Sequence, residues 1–242
     1  MKRTIKVWAI LSMLTLISFS VNAQVGVEAG ILSSPYKSSV DGENSDETYG
    51  GFRLGVTYNF GLAMGLSINT GLHYSYLGKS EDNYYQQSGV EVKEKVGHKE
   101  HYLDVPIRLA YTYPVANSVK IFAYAGPKLV MGLSSKMKEE VTVTADNQSI
   151  SASVTYNMYN GKVDVSVPKG MEDLLEDVPE EIDMKLSRFD VQVGFGLGII
   201  LFDRVTIKGG YDWGLLNKMT GDAADDMTLK RNQFYLGVGY TF

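Results

Sequence analysis

No cysteine occurs in the 242 residues, so disulfides cannot hold the fold, and a lipid anchor on a cysteine after a cleavage point is excluded. Histidine is scarce, with three copies, and no G-x-S-x-G nucleophile motif accompanies it. A phosphate-binding glycine loop, a dinucleotide fingerprint, zinc-ligand spacing and a haem attachment site are also missing, so no cofactor or metal is expected. The net charge is only -5 and the acidic residues gather in segments, which leaves no electrostatic case for binding nucleic acid. Convincing helical stretches are few. A core must therefore come from packing or from lipid.

What is present begins with the N-terminus. Lys2, Arg3 and Lys6 precede an apolar run from Val7 to Ser20, and Val21-Asn22-Ala23 places small residues where a signal peptidase reads. A spanning helix needs about 20 apolar residues, more than this run supplies. Residues 1–23 are thus expected to be a signal peptide cut between Ala23 and Gln24, leaving 24–242 as one domain.

The chain holds 16 Tyr, 9 Phe and 25 Gly, many at alternate positions, which is a β pattern. From Arg231 to Phe242 one face carries Phe234, Leu236, Val238, Tyr240 and Phe242, while the other carries Arg231, Gln233, Tyr235, Gly237, Gly239 and Thr241. Similar alternation marks 25–33, 50–60, 64–77, 101–113, 119–133, 187–201 and 205–216. Strands of about 10 residues, tilted near 45°, cross the apolar thickness of a bilayer, whereas soluble strands average about five or six. The connections alternate long and short, as external loops and periplasmic turns do in a membrane barrel. The chain closes on Leu236, Val238, Tyr240 and Phe242, the pattern of a C-terminal signal for barrel-assembly machinery. These observations predict an all-β protein: a single eight-stranded antiparallel up-and-down transmembrane β-barrel in a Gram-negative outer membrane, with both mature termini in the periplasm. A soluble sandwich is the rival that periodicity alone leaves open.

Outward positions are apolar with aromatics toward strand ends, and the opposite face is ionic. Eight strands enclose only enough room for side chains, so Glu28, Arg53, Asp104, Arg108, Lys128, Arg188, Asp190, Lys208, Asp212 and Arg231 are expected to pair across a filled lumen. Glu28 and Lys208, at similar height with only glycines of the last strand between them, are expected to meet. Inward glycines such as Gly196, Gly198 and Gly237 leave room for long side chains. Pro106 and Pro127 deny the ladder an amide each, so a bulge or register irregularity is expected there.

The stretches Tyr102–Tyr111, Phe189–Gly198 and Ile207–Asn217 resemble the PorT-like outer-membrane β-barrel family, and the likeness extends over nearly all of the mature chain. It implies a small barrel of the Bacteroidota type, commonly without an assigned biochemical activity, although one namesake takes part in protein secretion. The long third external loop, 134–186, departs from the plain pattern. Residues 140–167 read as extra hairpins, with turns at Asp146-Asn147 and Asn160-Gly161, followed by an acidic segment from Met171 to Met184. That segment is either a solvated cap or a site for divalent cations or a basic partner.

A non-enzymatic structural, binding or assembly role through the external loops is the leading expectation. Its partners would be outer-membrane lipid, assembly machinery during biogenesis and an extracellular or envelope protein contacted through 134–186. The alternatives are an outer-membrane hydrolase with a rim Ser/His/acid site and a narrow porin-like channel. His98 and His101 lie near the outer rim, but a spacing of three in a strand puts them on opposite faces.

Overall fold

The computed structural model describes residues 23–40, 43–87, 90–146, 148–169, 179, 181–221, 224 and 227–242. The expected signal peptide lies outside them except for Ala23, which with Gln24 starts the first strand opposite Phe60 and Asn59.

The strands are β1 (Ala23–Val40), β2 (Glu43–Gly61), β3 (Leu66–Gln87), β4 (Val90–Ala116), β5 (Val119–Ala145), β6 (Gln148–Asn157), β7 (Val163–Ser166), β8 (Lys185–Leu186), β9 (Phe189–Leu201), β10 (Val205–Gly214), β11 (Met219–Thr220), β12 (Met227–Arg231) and β13 (Gln233–Thr241). Eight of them form a ring in the order β4-β3-β2-β1-β13-β10-β9-β5, closed by β4 against β5. Every pair in the ring is antiparallel. Closure leaves no unpaired edge in hydrocarbon, where an unsatisfied amide is expensive.

Alternation explains why the ring turns inside out relative to a soluble domain. Leu54, Leu72, Leu109, Phe195, Leu197 and Trp213 stand exposed on the outer surface, while Arg53, His73, Arg108, Gln192 and Asp212 on the same strands are buried within. The outer band is bordered by aromatic residues. Phe52, Tyr76 and His101 share one rung across β2, β3 and β4 at the upper border, and Tyr111, Tyr113 and Tyr240 stand exposed toward the lower. Such rings settle at interfaces because their polar tips stay wet. Along β4 the stretch from His101 to Tyr113, at roughly 3.3 Å per residue and tilted about 45°, spans about 25–30 Å. This is the height of a membrane band.

The short connections, at 61–66, 116–119 and 201–205, lie at the end of the ring that holds the strand termini. Met64, expected to open a strand, instead sits in the first turn with φ of 54° and is 92% exposed. At the other end the structure corrects the loops. Residues 34–40, 43–49, 78–87 and 90–100, expected within connections, are strand, because β1 pairs with β2 as far as Val40–Glu43 and β3 with β4 as far as Gln87–Val90. Within 134–186 the hairpins expected over 140–167 are present: β5 runs on to Ala145, the chain turns at Asp146 and again at Gly161, and β6 and β7 add beside it. The result is a polar wall, β3 to β7, standing above the membrane band on one side. A register shift between His101 and Tyr102 leaves Leu133 unmatched on β5 where the wall leaves the band, as a bulge does where a strand bends. Much of the acidic 171–184 segment lies outside the described residues.

The two prolines do not shift the register. Pairing lapses next to each, between β4 and β5 and between β3 and β4, but resumes in the same phase on both sides. Arg108 helps, because its guanidinium donates to the Gly126 carbonyl beside the gap.

Candidate functional site

The interior is the first place to look for chemistry, since barrel residues that face inward have nothing to do with the lipid. At the lower end Glu28 accepts from Arg53 and stands 2.5 Å from Lys208 Nζ, so the two residues expected to meet do so. The Arg53 guanidinium also lies 4.0 Å over the Tyr235 ring, whose hydroxyl donates to Tyr124. In the middle Asp212 holds both Arg108 at 2.5 Å and Lys128 at 2.7 Å, and Lys128 also donates to Gln233. Asp104 accepts from Ser75 at 2.8 Å and lies 3.4 Å from His73. Higher still, Arg231 reaches Asp190 at 3.5 Å and Glu100 at 3.4 Å while lying over Tyr102.

Nine of the ten residues expected in the lumen are therefore drawn into these linked clusters. Arg188 is the correction. It is exposed at the rim, where its guanidinium donates to the carbonyls of Gly132 and Leu133 and packs over Tyr159. Parity along the chain placed it inward, but β9 starts only at Phe189 and the backbone bends at Ser187-Arg188, which breaks the alternation.

Sequence reasoning placed Tyr235 on the inner face but missed the rest of the aromatic filling. Tyr36, Tyr102, Phe122, Tyr124 and Tyr235 are all buried. They pack where the inward glycines make space: a Cβ at Gly196 would collide with the Tyr124 hydroxyl and one at Gly198 with the Phe122 ring. The glycines thus admit the rings of the neighbouring strand as well as long charged groups. What space remains is a cavity of about 100 Å³ toward the lower end, beside Asn59, Asn69, His73 and Lys208. That holds a few waters and no continuous channel.

At the root of the wall a second polar cluster forms. His98 Nε2 lies 3.0 Å from Ser135 Oγ and its Nδ1 3.2 Å from Tyr49 OH, which in turn donates to Glu47 at 3.0 Å. Serine, imidazole and acid are thus in hydrogen-bond sequence, the arrangement that activates a nucleophile. Two facts oppose that chemistry. Ser135 is fully buried, and its oxygen also lies 3.3 Å from the Glu100 carboxylate, where an oxyanion would need donors instead. Burial pushes the His98 imidazole below its usual pKa, despite the nearby Glu100 and Glu47.

A lid closes the top of the lumen. Leu186 and Met219 of the β8–β11 pair pack on Met158 in a small apolar cluster, and β12 pairs with the upper half of β1. Beneath it Lys218 is buried and donates to the Ser187 carbonyl at 2.8 Å. Burial, reinforced by Arg231, pushes its pKa down to about 8, against the opposing pull of Glu100 and Asp190. No group of three or more His, Asp or Glu among the described residues is placed to hold a metal.

No match was found among curated proteins. Among solved structures the chain is similar to Ail, the attachment invasion locus protein of Yersinia pestis, at 14% identity and a TM-score of 0.31, covering 91% of this chain and 99% of that one. It is similar to the outer membrane protein OprG from Pseudomonas aeruginosa at 11% identity and a TM-score of 0.37, covering 91% and 96%. The outer membrane protease OmpT from Escherichia coli gives 10% identity and a TM-score of 0.34, covering 90% and 97%. Residues 18–219 match the family described as the outer membrane protein beta-barrel domain, and the chain belongs to that family of the Gram-negative outer membrane.

Proposed function

We propose that this protein, as residues 24–242 after removal of a signal peptide, is a closed non-enzymatic barrel acting through its extracellular end as a binding or assembly component. The observation that carries the reading is the contrast between a lumen filled by buried ion pairs and rings and a wall whose tip is exposed on both faces over Gln148–Ser151 and at alternate positions, Val141 and Val143, on β5. A rigid scaffold that presents an irregular polar surface is where recognition usually resides. The buried Ser135 and its carboxylate neighbour speak against the hydrolase alternative, and the filled lumen against the channel.

Within the family we read the chain as PorT-like, of the Bacteroidota type, on the motifs Tyr102–Tyr111 and Phe189–Gly198. Its partner would be an envelope or extracellular protein that meets the 134–186 segment. The test is a photo-crosslinking residue at Thr142 or Ser151 in intact cells, with Leu197 on the lipid face as control. A discrete protein adduct from the wall positions alone is expected. Folded, heat-modifiable protein that yields no adduct there contradicts the reading, and steady conductance in planar bilayers would favour the channel instead.

A further inference from the structure

The outer face of the wall, directly above the aromatic border, carries a basic groove that no part of the barrel's closure requires. Alternation and register define it. The rung Phe52–Tyr76–His101 belongs to the aromatic border. One rung higher, Gly50, Gly78, Lys99 and Lys136 stand side by side across β2 to β5. Above these come Ser80, Gly97 and Lys138, then Asp82, Lys95 and Glu140. Lys99 and Lys136 point outward, because Glu100 and Ser135 beside them are buried inside. Gly50 and Gly97 leave the sheet surface bare, the Tyr76 ring lies over Gly78, and a cleft of about 730 Å³ opens above them beside the lysines.

Two features of this groove call for an anion. Lys99 and Lys136 are direct cross-strand partners, and like charges opposite one another destabilise a sheet. Neither has a carboxylate within 4.0 Å among the described residues, although Lys138 pairs with Glu140 at 2.5 Å and Lys93 with Asp82 at 3.4 Å. The rung is also set at a definite depth, one step above the rings that mark the interface and so level with the headgroups of the outer leaflet. An anion there that carried acyl chains could lay them down the apolar face below Tyr76 and Leu72 while its charged group met the ammonium groups.

We infer that this groove binds the phosphorylated headgroup of an outer-leaflet glycolipid, with Lys99 and Lys136 as the principal phosphate contacts, Lys138 and Lys95 beside them, and Tyr76 flooring the site. The charge is complementary, the depth matches a membrane-anchored anion, and lysine stems can lie along apolar surface with their heads at the headgroup level. The inference is independent of any protein partner at the wall's tip.

The test compares thermal unfolding of the purified barrel in neutral detergent with added diphosphoryl lipid A, with chemically dephosphorylated lipid A, and with inorganic phosphate. The wild type should be stabilised by the phosphorylated lipid alone. Lys99→Gln/Lys136→Gln should bind it roughly 30-fold more weakly, at about 1 kcal/mol for each basic residue near an anionic surface. Lys120→Gln, at the opposite end of the ring and paired with Asp203 at 2.6 Å, should bind as the wild type does. Equal stabilisation by dephosphorylated lipid, or undiminished binding by the folded double variant, overturns the site. A matching effect of inorganic phosphate at the same concentration overturns the lipid as its occupant.

Discussion

Asp212 accepts from two cations on different strands while fully buried. Truncating it would leave Arg108 and Lys128 without their carboxylate. Removing one partner of a buried pair costs about 3–5 kcal/mol, so Asp212→Ala should lower urea resistance in detergent by that order, read from heat-modifiable gel mobility. Lys218 tests the opposite situation, a cation held at a disadvantage. Its folded pKa is about 8 against the ordinary lysine value of 10.5. Between those values the unfolded chain binds the proton and the folded one does not, so stability rises as pH climbs from about 8 toward 10.5. Thermal unfolding between pH 7.5 and 10 should show that rise in the wild type and lose it in Lys218→Met. At this scale parity along each strand located Glu28, Arg53 and Asp212, because a period of two leaves no choice of face. It failed at Arg188, one residue outside the strand, and it passed over Tyr124 and Phe122, whose inward position depends on glycines of a strand distant in sequence.

At the scale of elements, the wall differs from the ring below it. Ring strands are satisfied by neighbours on both sides and by lipid, whereas the wall ends in a free edge, with β7 paired to β6 alone among the described strands. The wall should open before the ring does. His98 pins its root between Tyr49 and Ser135 as a neutral imidazole. Because burial lowers its folded pKa, the unfolded state takes up a proton first as pH falls. The stabilisation is therefore present above about pH 6.5 and fades below it. Amide exchange, corrected for intrinsic rate, should show residues 80–98 and 136–156 less protected at pH 5 than at pH 7.5, with no such change in Leu103–Leu109. The same segments in His98→Gln should lose the pH dependence, and a wild type without it would show that the neutral imidazole is not what holds the wall. The extensions at 34–40, 43–49 and 78–87 were invisible as strands because they are rich in polar residues on both faces, whereas the alternation within 140–167, with Val141, Val143 and Ile150 on one face and Thr142, Thr144 and Ser151 on the other, was legible. The missing register shifts at Pro106 and Pro127 have a related cause. A lost amide can be tolerated where an arginine caps the neighbouring carbonyl, and a sequence does not say which side chain will arrive there.

For the whole molecule the decisive property is closure, since the same two-faced strands could in principle stack as a sandwich around their apolar sides. The seam that closes the ring joins strands far apart in sequence: β1 pairs with β13, setting Ile31 opposite Leu236. Both side chains face outward and are exposed. Opposed residues in an antiparallel pair have Cα atoms about 4.5–5.5 Å apart, within the range a disulfide accepts. A chain without cysteine gives such a probe a clean background. Ile31→Cys/Leu236→Cys should therefore crosslink completely under mild oxidation in micelles, and the oxidised protein should keep its heat-modifiable mobility. Moving one partner by a residue, as Ile31→Cys/Gly237→Cys, points the second thiol into the lumen, because a slip of one flips the face. That pair should stay reduced. Efficient crosslinking of the second pair, or none of the first, would mean that the seam has another register or that the outward faces meet one another in a core. In either case the ion pairs assigned to the lumen would have to be assigned anew.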